Sequence, residues 1–221
     1  MSVKKKIILL RSYLIARTYD LAMSGTERRC LGPWRGELLA QAEGDLLEIG
    51  AGTGANLPHY PPTTRRITLC EPDSQMRRRL QVKSREKPGR AVAIARWPAE
   101  KIDLPDASFD TIVSTLVLCS VTSLDNSLRE IYRLLRPGGK LLFLEHVISD
   151  RPATRVWQHR IEPFWSFCAG DCRLTRDTEN AIRSAGLRIE KLTEAPLAGA
   201  PAFVRRTIRG LARKPQTAAP D

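Results

Sequence analysis

The sequence predicts an α/β fold built on a parallel, doubly wound sheet, and three observations carry that expectation. Short apolar strands alternate with helical patterns between residues 46 and 147, the first strand runs into a glycine-rich turn, and Pro137-Gly138-Gly139 ends a helix just before the longest apolar strand. Alternation of this kind needs helical crossovers that cover the faces of a sheet.

The elements follow in order. Residues 4–23 hold Ile7, Leu10, Leu14 and Leu21 at approximately helical spacing, with a basic opposite face. A helix packed on the domain is the plain reading; a lid over a ligand and a membrane-surface helix are the alternatives. After Gly25 a second helix is expected over 27–41. Strands are expected at 46–49, 67–70, 91–95, 111–115 and 140–147, with helices at 74–87 and 124–135 between them. The latter turns Leu128, Ile131 and Leu135 inward and Arg129, Glu130 and Arg133 outward. Residues 150–172 break the rhythm as an aromatic insert with Trp157, Phe164, Trp165 and Phe167. A helix at 177–185, stopped by Gly186, leads to two closing strands at 187–192 and 203–211. Residues 1–214 thus read as one domain, and 215–221 as a disordered tail.

Composition narrows the classes. A 221-residue chain with 42% hydrophobic and 27% charged residues has the profile of a soluble globular protein. No apolar run approaches the roughly 18 residues of a membrane span, and no secretory leader is visible, so the chain is expected in the cytosol. Five cysteines at irregular spacing argue against a disulfide framework. Cys168 and Cys172 lack a second Cys/His pair at zinc spacing, so no metal is expected and the thiols read as reduced. The net charge of +12 comes from local runs, at 4–6, at 77–87 and at 205–214. Solvated helix faces and a basic tail account for it; anionic membrane and nucleic acid are the alternatives. With 6% aromatic residues and no basic-aromatic platform, nucleic acid is the weaker of these.

The chemistry gathers at the expected carboxyl ends of the strands, where an open α/β sheet binds its ligand. Residues 47–54 read Leu-Glu-Ile-Gly-Ala-Gly-Thr-Gly. Gly50, Gly52 and Gly54 let the backbone bend sharply and approach a ligand, and a following helix would add its positive end. The turn also satisfies the loose dinucleotide pattern, so two cofactor classes remain open here. Glu48 favours a ligand with an amino-acid end, because an acid at that position can hold an ammonium. Glu71 closes the second strand, and its two acceptor oxygens suit a ribose diol. A backbone amide near Ala99 and Glu100 is placed to read an adenine edge.

Glu48 with the three glycines, Glu71, Ala99-Glu100, Ser108-Phe109-Asp110 and Arg136-Pro137-Gly138-Gly139 together resemble a class I S-adenosylmethionine-dependent methyltransferase. That resemblance implies a Rossmann-like seven-stranded sheet, mostly parallel with an antiparallel last strand and helices on both faces. It implies S-adenosylmethionine as cofactor, with Gly50, Ala51, Gly52, Thr53 and Gly54 at the methionine moiety, Glu71 at the ribose and Ala99 at the adenine. Glu48, Asn56, Pro72, Met76, Glu100, Thr115 and Leu116 complete the expected cofactor set. Pro98 stands where many relatives carry Asp or Asn.

A narrower resemblance rests on Gly54-Ala55-Asn56, Tyr60-Pro61-Pro62, residues 115–121, Glu145-His146-Val147, Glu162-Pro163-Phe164-Trp165 and residues 172–176. These blocks are similar to the methyltransferase-like seven proteins, the membrane-associated alkyl thiol methyltransferases. It implies an apolar thiol as methyl acceptor, with a lipid or quinone as the alternative. A nucleic-acid-binding protein with a vestigial fold is a third reading, opposed by the intact acids and glycines. Only the helix at 4–23 stands where the family has a long apolar anchor, so the expected attachment is peripheral, through basic charge on anionic membrane. His146 is the expected base for the acceptor. Tyr19, Cys119, Trp157 and Trp165 are expected to line the acceptor site. His59 and His159 are read as structural or exposed.

Overall fold

The computed structural model describes residues 3–85 and 92–216, with side chains from residue 6. Seven strands form one sheet in the order β3-β2-β1-β4-β5-β7-β6. They are β1 (Gly44–Ile49), β2 (Thr64–Cys70), β3 (Val92–Ala95), β4 (Phe109–Thr115), β5 (Leu135–His146), β6 (Arg188–Pro196) and β7 (Arg206–Arg213). The first five pair in parallel, and β7 runs antiparallel between β5 and β6. From β1 the order runs outward to β2 and β3 on one side and to β4 on the other. This reversal opens a crevice at the carboxyl ends of β1 and β4.

The central strands are apolar on both faces because both faces are covered. Leu47, Ile49, Ile112 and Phe143 belong to one core layer, beneath α4 (Leu124–Leu134) and α6 (Thr178–Ser184). Leu46, Val113, Leu142 and Leu144 belong to the other, beneath α2 (Gly32–Leu39) and α3 (Ser74–Arg85). Helix α4 buries Leu128 and Ile131 as its periodicity predicts, and Leu134 in place of the expected Leu135, which already begins β5; Ser123 Oγ caps the helix by accepting from the Asn126 amide.

Four expectations need correction. Gly25 does not break the first helix: α1 (Val3–Thr26) continues through a π turn at Glu27–Leu31 into α2. One glycine inside a helix costs only about 1 kcal/mol, less than the neighbouring turns supply. The apolar row of α1 does not pack on the rest of the chain. Ile7, Leu10, Leu14 and Leu21 are 51–79% exposed, and the buried side is carried by Ala16. The aromatic insert is mostly a regular helix, α5 (Pro152–Cys168), fastened by buried Gln158, which accepts from the Ser149 amide and donates to the Phe203 carbonyl. The last strand starts late, because Ala202–Val204 form a 3-10 turn before β7. The expected helix end at 86–87, the strand start at Ala91 and most of the tail, 217–221, lie outside the described residues.

Gly50 has φ +57°, and a Cβ there would lie 2.6 Å from both methyl carbons of Val117. Gly50→Ala is therefore expected to destabilise the fold by about 1–3 kcal/mol. Leu21→Ala, at a side chain 79% exposed, should stay within about 0.5 kcal/mol. Denaturant unfolding of the two variants checks both.

Candidate active site

The glycine turn leaves β1 and folds back under the carboxylate at the end of β2. Glu71 is 6% exposed and accepts from the Gly52 amide (2.7 Å) and the Asp73 amide (2.8 Å). Burial pushes its carboxyl up to about 7, against the downward pull of those two amides. Gly52 has φ +54°, and a Cβ built on it would meet nothing within 4 Å. The backbone there borders open space, which is what a turn carrying a ligand needs. Pro72 is exposed and Met76 half-buried beside it.

Under the turn lies a polar floor. Glu48, 2% exposed, accepts from Asn56 Nδ2 (2.8 Å) and from the Tyr60 hydroxyl (2.5 Å). Burial raises its carboxyl above the usual range, with Tyr60, Asn56 and Arg35 opposing that shift. Arg35 Nη1 donates to Asn56 Oδ1 (2.7 Å) and Thr115 Oγ1 (2.8 Å), and its other nitrogens pair with Glu27. Both Glu48 oxygens are thus engaged by side chains, so an incoming ammonium would share this carboxylate rather than meet a bare one. Leu116, next to Thr115, has φ +59°, an uncommon conformation for a non-glycine at a strand end.

Ala99 is 8% exposed, at the expected adenine side. Glu100 Oε1 accepts from the Thr122 and Ser123 amides, so this carboxylate anchors the start of α4. That role was not evident in the sequence.

Helix α1 reaches the turn through polar side chains. Asp20 accepts from Thr53 Oγ1 (2.5 Å), Lys83 Nζ (2.9 Å) and Arg79 Nη2 (3.3 Å). Burial alone would raise its carboxyl, but these three bonds outweigh it and leave it below the usual value. Ser12 Oγ donates to Asp73 Oδ2 (2.5 Å). Tyr19, half-buried, is held up to about 12 by burial, against the attraction of Arg35.

The ends of β4 and β5 carry a second group. Glu145, fully buried, accepts from Ser114 Oγ (2.6 Å), the Val117 amide (3.2 Å) and the Cys119 amide (3.3 Å), and so shapes the loop after β4. Arg173 N donates to the Cys119 carbonyl, and Arg176 donates to the carbonyls of Leu118 and Val121. Cys119, His146 and Cys172 meet there, their ligand atoms within 4.8 Å of one another. Cys172 Sγ lies 3.7 Å from His146 Nδ1. His146 is 3% exposed, and its Nε2 is buried with no partner, as is Trp165 Nε1. The Cys172 contact and burial push the Cys119 thiol well up, whereas Cys172 is lowered, chiefly by Cys119.

The expected residues therefore divide. The glycines, Thr53, Asn56, Glu71 and Thr115 converge on the crevice, and Cys119 and His146 meet nearby at the ends of β4 and β5. Trp165 packs edge-to-face on Phe203 with centroids 5.2 Å apart. Trp157 is a correction: it is 63% exposed on the outer side of α5, whose buried polar position is taken by Gln158. Arg35, Asp20, Tyr60 and Glu145 were missed. Tyr60 and Glu145 stood in the blocks of the narrower resemblance without a role, and Glu145 had a further signal as an acid inside an otherwise apolar strand.

The methyltransferase domain family matches residues 47–143. The human thiol S-methyltransferase TMT1A is 37% identical over 176 residues, 76% of this chain and 70% of the relative. The rat thiol S-methyltransferase TMT1B is 35% identical over 179 residues, covering 80% and 72%. Among solved structures, the Burkholderia thailandensis 1,6-didemethyltoxoflavin-N1-methyltransferase, with bound S-adenosylhomocysteine, superposes with a TM-score of 0.67 at 18% identity. The superposition covers 97% of this chain and 91% of that one. The crevice with its glycine turn and closing acid is thus that of an S-adenosylmethionine-dependent class I methyltransferase, and the chain belongs to the family of the thiol S-methyltransferases TMT1A and TMT1B.

Proposed function

We propose that the chain methylates the sulfur of a small apolar thiol. The observation that carries the acceptor half is the 37% identity to a thiol S-methyltransferase over 70% of that relative's length. The residues present fit the cofactor: Gly52 borders open space, and the Glu71 carboxylate is held at the mouth of the turn by two amides, with acceptor capacity left for hydroxyls. Bound S-adenosylmethionine supplies an electrophilic methyl group on a sulfonium.

In this reading the residues 50–54 and Asn56 hold the methionine end, with Glu48 compensating its ammonium. Glu71 takes the ribose hydroxyls, Ala99 borders the adenine, and Pro72, Met76, Glu100, Thr115 and Leu116 enclose the rest. Helix α1 acts as a lid, with Asp20 as its catch on Thr53, and α5 with the turn after it roofs the acceptor side. Tyr19, Cys119 and Trp165 line that side. The protein's main contribution is alignment and exclusion of water, an effect worth up to about 7–11 kcal/mol. A free thiol, with a reference pKa of about 8.5, is mostly protonated near neutrality. His146 is the residue through which that proton is lost. The exposed apolar row of α1 and the net charge of +12 support peripheral attachment to anionic membrane from the cytosolic side.

Four outcomes test this reading. A carboxyl with a pKa of about 7 is half protonated there, and ribose hydroxyls favour the ionised form. Calorimetric affinity for S-adenosylmethionine should therefore rise with pH up to about 7, by no more than about tenfold per unit, and level off above it. Glu71→Gln should flatten that dependence. Glu71→Ala should weaken cofactor binding at least about tenfold, since bonds to a charged acceptor contribute about 1.5–3 kcal/mol each. His146→Ala should instead lower kcat with little change in cofactor affinity, and unchanged turnover would remove His146 from the reaction. In a turnover screen, alkyl thiols should be methylated and phenols, amines and lipids should not; turnover of an amine with inert thiols would overturn the acceptor assignment.

A further inference from the structure

The sequence spacing of the cysteines hides what the fold assembles. Cys119 follows β4, His146 ends β5 and Cys172 follows α5, yet their sulfur and nitrogen atoms lie within 4.8 Å of one another. A tetrahedral zinc site, with Zn–S of about 2.3 Å and Zn–N of about 2.0–2.1 Å, sets neighbouring ligand atoms about 3.5–3.8 Å apart. The Cys172–His146 pair is already at 3.7 Å, and the widest separation has about 1 Å to close. Two thiolates and a neutral imidazole balance a divalent cation, and sulfur with imidazole suits zinc over harder ions.

The surroundings are those of a held ligand set. Glu145 bonds the Cys119 amide, Arg173 N bonds the Cys119 carbonyl, and Glu162 takes the amide and hydroxyl of Thr175 just after Cys172. Each cysteine is thus fixed through its own backbone or a near neighbour. Trp165 Nε1 is a buried donor with no partner, beside Cys172. A metal-bound thiolate would give that N–H an acceptor. His146 Nε2 is likewise buried without a partner, while Nδ1 is the nitrogen that faces the sulfur. The plain alternative, a core packing of three small polar groups, leaves the Trp165 donor unsatisfied, whereas His146 Nε2 lacks a partner in either arrangement.

We propose that Cys119, His146 Nδ1 and Cys172 form a three-ligand site for zinc(II), whose open fourth position takes the sulfur of the acceptor thiol. The inference rests on the thiol reading above and gives His146 its manner of action. Binding of the ion releases the protons of Cys119 and Cys172. An arriving thiol displaces the water in the fourth position, forms a metal–sulfur bond and loses its own proton to solvent. Three protein ligands with one open position are the pattern of a catalytic rather than a closed structural site.

Cobalt(II) is the probe, added to the reduced full-length protein. One cobalt per chain is expected, with the visible bands of a tetrahedral site and sulfur-to-cobalt charge transfer. Cys119→Ser and Cys172→Ser should each lose the charge transfer, and Cys168→Ser, at an exposed thiol, should keep it. Cofactor binding by calorimetry reports that each variant is folded. Hexane-1-thiol should shift the bands of the wild-type protein. No uptake beyond that of the Cys119→Ser/Cys172→Ser double variant overturns the site, as does a Cys119–Cys172 disulfide that reduction converts to a protein still unable to take cobalt. Bands that hexane-1-thiol leaves unmoved overturn the open position. Thiol turnover that survives chelation without loss overturns the inference while the thiol reading stands; absence of thiol turnover with cobalt bound overturns the thiol reading and leaves the three-ligand site.

Discussion

The buried hydrogen-bond network that joins Arg35 to Glu48 through Asn56 is the constraint on which the site is built. One charge sits on α2 and the other on β1, at 3% and 2% exposure, and neither can be left alone in the interior. They do not touch; Asn56 stands between them, donating to Glu48 and accepting from Arg35, with Thr115 bonded to both Arg35 and Asn56. Four segments must therefore arrive together: α2, the end of β1, the chain just past the glycine turn and the end of β4. Removing one member leaves its buried hydrogen-bond partners unsatisfied, at a cost of about 1–3 kcal/mol for each such group. The turn above inherits its shape from that floor.

The sheet ends divide the work. At β1 and β2 the groups are backbone amides and carboxylates, suited to a polar, charged ligand. At β4 and β5 they are thiols, an imidazole and aromatic rings, with the one buried carboxylate, Glu145, turned onto backbone amides. Leu116 marks the seam, and its positive φ lets the chain leave β4 at an angle that a regular strand end would not permit.

Local patterns were legible and distant partnerships were not. The strands, the glycine turn, Glu48 and Glu71 could be read because each is a run or a strand-end residue. Arg35 looked like one more basic residue of a chain with 36 of them, and nothing local says that it is buried. Asp20 looked like a solvated acid on a basic helix. The periodicity of α1 showed which residues are apolar but not which side has a neighbour, so of its three readings the one that packs the apolar row on the domain fails. The short blocks at 115–121, 145–147, 162–165 and 172–176 could be matched as strings, and the structure supplies their reason. Glu145 shapes 117–119, Arg176 holds 118 and 121, Glu162 holds Thr175, and Cys172 meets His146. They are one another's partners.

The way α1 is held has a consequence of its own. Its outer row is exposed, and the bonds tying it to the turn run through Asp20, Lys83 and Arg79, groups between 34% and 41% exposed. The sheet is held by apolar burial, which dissolved ions do not weaken, whereas contacts of this kind are screened within a Debye length of about 8 Å at physiological salt. Counterions therefore loosen α1 well before they disturb the strands beneath it. Under the lid reading proposed above, ionic strength becomes a control on access to the crevice that leaves the sheet's geometry intact.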